Sequence, residues 1–249
     1  MVTSKLKIDY SSQFGNLPDL IKDQGFTSYW MSHYVSDFDN QNPKITSSII
    51  NGTNLNENFD FHDCLDSFLS IKLIIQSIII YFKIYLRFIF KKNIKKLFEP
   101  VGSNLSLWKV LRDDFNKSIY GVICFKNILW SLQIDKFLSE LPTQKLMIYL
   151  MENQGWERAL LHGWRKHGHK TIIGYQYGIL RYWDLRYYTS FINKNKHEFI
   201  DFLQPNYVAT SSEVAHKLFL EMGYNRNDLI KVENLRYNHL FDKNKVSMV

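Results

Sequence analysis

The sequence predicts an α/β fold with a parallel sheet and helices against its faces. Two observations carry that expectation. Short apolar strand-like runs alternate with helical patterns from residue 144 to residue 236, the pattern that builds parallel sheets. A shorter β-α-β opening precedes them near the amino terminus. A long, mostly apolar helical section separates the two.

Taken in order, "LKIDY" (6–10) reads as a short strand, and "LPDLIKDQG" (17–25) as a helix closed by Gly25. "FTSYWMSHYV" (26–35), rich in aromatic and hydroxyl side chains, reads as a strand. Residues 36–60, crowded with Asn, Asp, Ser and Pro, read as a loop, with Asn51-Gly52-Thr53 as a turn. From Leu65 to about Phe98 the pattern is a long helix interrupted by Lys72, Gln76, Lys83 and Arg87. At about 100° per residue these four project within a sector of roughly 60°, a polar stripe on a greasy cylinder. Three readings follow: a helix packed on nearly all sides with its stripe in solvent, a helix lying on an anionic membrane, or a membrane span. "KKNIKK" (91–96) adds a basic cluster at the end of this helix.

Residues 105–121 and 123–141 read as two further helices, and Pro142 closes the section. Strands follow at 145–151, 171–176, 205–210 and 229–234, with helices at 155–167 and 212–223. The whole reads as one domain over 1–249, with the helical section over about 65–140 and the motif-bearing α/β part over about 144–236.

The chain has 249 residues, with 45% hydrophobic and 22% charged side chains, enough to bury a core. Its formal charge of +7 suits an anionic lipid or a phosphorylated ligand. Nucleic acid is disfavoured, because the cations cluster beside an apolar helix with no recognition motif. Cys64 and Cys124 form neither a disulfide framework nor a metal spacing, and read as core thiols in a reducing cytoplasm. No apolar leader opens the sequence. His162, His167 and His169 lack a further ligand at metal spacing, so neither a metal nor another cofactor is expected.

In open parallel sheets, ligands bind beyond the carboxyl ends of the strands. Four polar clusters fall at such ends: Glu152 and Asn153; Gln176 and Tyr177, followed by Arg181, Asp184 and Arg186; Thr210, Ser211 and Ser212; and Glu233, Asn234 and Arg236. If the strands are neighbours, these gather on one rim. Carboxylates there can take a hydroxyl proton, and arginines can pair with phosphate. Some of these residues and their neighbours also have a structural reading, whereas Glu152, a carboxylate just past a buried strand, needs a partner or a role. Thr210 with Glu213 fits a capping box, Glu157 and Arg158 can solvate a helix start, and Arg181, Asp184 and Arg186 can form an internal ion-pair network. Trp156, Ala159, Leu160, Gly163 and Trp164 recur at helical spacing and read as a buried face.

The run E-N-x-x-W-E (152–157), G-x-Q-x-G (174–178), R-x-W-D-L-R (181–186) and E-x-L-R-Y (233–237) resembles a family of bacterial surface carbohydrate biosynthesis proteins. These are similar to GT-B glycosyltransferases that add Kdo or related sugars to capsule and lipopolysaccharide. The resemblance implies the Rossmann-like amino-terminal, acceptor-side half of such an enzyme, acting at the cytoplasmic face of the membrane. It implies a nucleotide-sugar donor, a glycan or lipid-linked acceptor, and a donor-binding domain not found in these residues. It assigns acid-base or acceptor-orienting work to Glu152, and ligand contacts to Asn153, Glu157, Gln176, Tyr177, Arg181, Asp184, Glu233 and Arg236. Such proteins commonly carry His before the last Gly of G-x-Q-x-G, where this chain has Tyr177. That departure leaves open a non-catalytic relative that binds glycan or protein.

Overall fold

The computed structural model describes residues 14–32, 43–56, 60–99, 102, 105–188 and 203–240. The expected strand at 6–10 and the carboxyl end of the expected strand at 26–35 lie outside these residues. The fold is α/β with two parallel sheets.

Helix α1 (Leu17–Asp23) has Pro18 in its first turn, where no amide hydrogen is needed. It stops where expected: Gly25 takes φ +76, its N–H donates to Lys22 O and that of Phe26 to Ile21 O, the two bonds of a Schellman ending. Strand β1 (Ser28–Ser32) pairs in parallel with β2 (Asp60–Cys64). The expected loop over 36–60 is corrected here. Helix α2 (Pro43–Asn56) contains Asn51-Gly52-Thr53 in mid-helix, and residues 60–64 form a strand. Ser48 and Thr53 donate their hydroxyls to Lys44 O and Ile49 O. Asn54 accepts from His62 N–H and donates to His62 O, both at 2.8 Å. That two-point tether between helix and strand outweighs the turn propensity of Asn-Gly.

The long helix expected over 65–98 is three pieces. A 3-10 turn (Leu65–Phe68) leads to α3 (Ile71–Ile89), and a second follows at Ile94–Phe98. Ser70 caps α3 by accepting from Leu73 N–H, and Asn93, at φ +63, turns the chain after it. Helices α4 (Trp108–Tyr120) and α5 (Val122–Glu140) meet at Gly121, as expected. No helix among the described residues is long and apolar enough to cross a membrane. Nor is α3 packed on nearly all sides: only Leu73 and Ser77 are buried along it.

Strands β3 (Leu146–Leu150), β4 (Thr171–Gln176), β5 (Tyr207–Thr210) and β6 (Leu229–Lys231) form one parallel sheet in chain order. Helices α6 (Gly155–Lys166) and α7 (Glu213–Glu221) follow β3 and β5. Side chains alternate between the two faces. Tyr149, Ile172, Val208 and Leu229 join a core with Ile134, Leu138, Leu161, Trp164 and Phe219 from α5, α6 and α7. Tyr175 and Ala209 point the other way, onto Phe14, with Trp30 and Leu235 packed around them. The amino-terminal segment is therefore stitched to the last strand's exit. Gly15 has φ +50, and a Cβ there would lie 2.2 Å from Leu235 O, so no other residue fits.

Candidate functional site

Parallel pairing in chain order puts all four strand exits on one edge, as the clusters required. Gln176 lies opposite Thr210, and Thr210 opposite Lys231, so the residues just beyond them converge. They line a cleft of about 260 Å³ whose polar wall includes Gln176, Tyr177, Ser211, Ser212, Asn234 and Arg236. Leu180, Val214, Ala215, Leu218 and Tyr237 supply its apolar side. Such a mixture of apolar wall and a few placed polar groups is the usual make-up of small-ligand sites.

Gln176 is fixed from both ends. Its Oε1 accepts from Ser211 N–H at 3.2 Å and from the Ser211 hydroxyl at 3.0 Å, while its Nε2 donates to Gly178 O. Gln176 is thus a buried strut that shapes the cleft wall. Asn234 Oδ1 is buried without a hydrogen-bond partner among the described residues and belongs to the same cleft. A buried acceptor of this kind is costly unless a ligand or water donates to it.

Glu152, half-buried beyond β3, accepts a hydrogen bond from the phenol of Tyr177 beyond β4. That bond, followed by burial, pushes the Tyr177 phenol up to about 12, while Arg236 nearby pulls it down. Tyr177 therefore stays protonated and donating at any ordinary pH. Tyr177 is thus a hydrogen-bond donor to the Glu152 carboxylate.

Glu157 is placed differently from the ligand contact the sequence led us to expect. It is 1% exposed, and its Oε1 accepts from Glu152 N–H at 3.0 Å and Gln154 N–H at 2.8 Å. It occupies the third position of α6, where a carboxylate satisfies orphan amides and complements the helix dipole. Burial pushes its carboxyl up, against the pull of those amides. Glu157 thus holds the Glu152 backbone from beneath. Asn153 also belongs to the scaffold. At φ +55 it makes the left-handed turn between β3 and α6, a conformation Asn tolerates, and its Oδ1 accepts from Arg158 Nη2 at 3.1 Å.

Arg181, Asp184 and Glu233 do not line the cleft. Asp184 takes a two-point bond from Arg186, Nε at 2.8 Å and Nη2 at 2.6 Å, which holds its carboxyl below the usual range. This is the ion-pair reading of the aromatic loop. The Thr210–Glu213 capping box does not form. Thr210 lies within β5 with its hydroxyl 3.3 Å from His216 Nδ1. Ser212 caps α7 by accepting from Ala215 N–H at 3.1 Å, and Glu213 pairs with Lys231 at 2.6 Å.

Among the described residues, no group of three or more His, Cys, Asp and Glu could hold a metal ion. His169 packs on Trp164 with ring centroids 4.5 Å apart, and His167 meets Asp135 at 2.9 Å. Cys124 is buried and Cys64 only partly so, both as free thiols. No local signal announces the Tyr177–Glu152 pair, because 25 residues separate the partners and only the β3–β4 register brings them together. Comparison of the chain with family models, with curated proteins and with solved structures found no match.

Proposed function

We propose that this rim is the acceptor side of a glycosyltransferase, moving a sugar from a nucleotide-activated donor onto a glycan or lipid-linked acceptor in surface polysaccharide assembly. The observation that carries the reading is the Tyr177–Glu152 hydrogen bond beside the cleft. A carboxylate oriented by a protonated phenol at a strand exit is suited to accept a proton from a sugar hydroxyl. As that hydroxyl oxygen bonds to the donor's anomeric carbon, the bond from that carbon to the nucleoside phosphate breaks, and the phosphate leaves with the electron pair. Arg236 lines the cleft and supplies positive charge on the side where phosphate charge develops. The Asn234 amide gives the acceptor a further hydrogen-bonding partner.

In this reading the two sheets belong to one Rossmann-like unit of GT-B type, and α3–α5 are an insertion between its strands. The donor is held by a second domain outside these residues, since transfer needs groups from both sides in near-attack geometry.

The test is calorimetry and a transfer assay with glycan acceptors and a panel of CMP-, UDP- and GDP-sugars. The chain alone should bind acceptor but hold nucleotide-sugars weakly, and transfer should need the donor domain. Glu152→Gln should keep the melting temperature and lose transfer. Normal transfer by that variant, or tight donor binding by the chain alone, refutes the assignment. Acceptor binding without transfer in the reconstituted system identifies a non-catalytic glycan-binding module instead.

A further inference from the structure

Helix α3 divides into three sectors around its axis at about 100° per residue. Leu73 and Ser77 face inward and are buried. The next sector carries Lys72, Lys83 and Arg87, all exposed, with Gln76 half-buried between them. The third is apolar and exposed: Ile71 (78%), Ile75 (53%), Phe82 (55%) and Ile89 (53%) recur at spacings of three, four and seven with Ile78 and Leu86. This stripe runs the length of the helix, and Phe90 and Leu97 continue it past the helix end at 79% and 62% exposure. Solvated proteins rarely leave so continuous an apolar strip uncovered.

The charge beside the strip is of one sign. Between Asp66 and Glu99 there are seven Lys and Arg residues and no acid. Lys91, Lys95 and Lys96 line a cleft of about 540 Å³ whose wall includes Trp108, Phe115 and Tyr120 from α4. Asp113 and Asp114 on α4 are accompanied there by Lys109, Arg112 and Lys117.

We infer that this face of α3 docks in the plane of an anionic bilayer, its apolar strip entering the acyl boundary and the lysine-lined cleft taking lipid phosphates. An in-plane amphipathic helix sets an apolar face beside a cationic one without being apolar enough to span, and α3 meets these conditions. A second copy of the chain is a poor occupant. Twofold pairing of this face would set cations against cations, with no acid in the segment to offset them. The inference is independent of the chemistry at the strand rim.

Flotation with phosphatidylcholine vesicles, with and without phosphatidylglycerol, tests it. Binding should require phosphatidylglycerol and weaken with salt. Changing Lys91, Lys92, Lys95 and Lys96 together to Gln should weaken it tenfold or more, since each cation near the surface contributes roughly fivefold. A second variant, Ile75→Ser with Phe82→Ser and Ile89→Ser, should abolish binding with all charges intact. Both variants change exposed residues, so thermal melts like the parent's should confirm that they fold. Equal binding to neutral vesicles overturns the inference. So does undiminished binding by the serine variant, or a stable dimer in light scattering that the serine variant dissolves.

Discussion

Glu157→Ala should unfold the rim from beneath. The substitution removes the acceptor of two backbone amides, at 3.0 Å from Glu152 N and 2.8 Å from Gln154 N, and hydrogen bonds to a charged group contribute about 1.5–3 kcal/mol each. Against this stands relief of the desolvation that burial imposes on the carboxylate, so the net loss should be about 2–4 kcal/mol. For a chain of this size that is a fall of roughly 5–15 °C in Tm. Glu157→Gln keeps an oxygen acceptor and removes the charge, so it should stay within about 1 kcal/mol of the parent at neutral pH. The pH dependence separates the two effects. Because burial raises the folded-state carboxyl above its unfolded value, the native state binds the proton more tightly. Its contribution is fully present below the unfolded pKa and is lost as pH rises through the folded pKa. Glu157→Gln should therefore gain stability relative to the parent as pH rises from about 4 towards neutrality. Urea denaturation followed by circular dichroism across that range measures both. If Glu157→Gln is as damaging as Glu157→Ala at neutral pH, the charge itself is required and the capping account is wrong.

Gly174→Ala places a Cβ 2.8 Å from Met151 Sδ, 3.2 Å from the Tyr149 hydroxyl and 3.3 Å from Pro205 Cγ. It should cost about 1–3 kcal/mol, as overpacking does, read from the urea midpoint. Phe14→Ala removes the ring that meets Trp30 at 5.6 Å and Tyr175 at 6.4 Å. A loss of about 3–5 kcal/mol is expected, with added proteolytic cleavage in the amino-terminal segment. Asp184→Asn breaks the two-point bond to Arg186, but Arg186 is half exposed, so global stability should fall by less than about 1 kcal/mol. Asp184 is held below its ordinary value by Arg186, so its contribution is present above the unfolded pKa and lost as pH falls through the folded one.

From residue 144 onward, the sequence by itself determined the elements and their parallel pairing. Strands of three to six residues rich in apolar side chains, helices with apolar side chains three and four apart, and the left-handed glycines that follow them are local signals. Local geometry dominates where a segment is strongly periodic. Chain order then set the rim, because successive parallel strands bring their carboxyl ends to one edge. Tertiary structure decided what local signals leave open. Asn51-Gly52 carries the mark of a turn, yet Asn54 clamped to His62 holds those residues in a helix. Glu157 looks like a rim residue in sequence, but α6 begins two residues before it and draws its carboxylate onto the backbone. Tyr177 meets Glu152 only through the register that sets Leu150 beside Tyr175. The greasiness of α3 was legible, but which sides its neighbours cover was not. Periodicity records a helix's own apolar arc, whereas burial depends on which sectors other elements reach, and around α3 the described elements leave the apolar arc exposed.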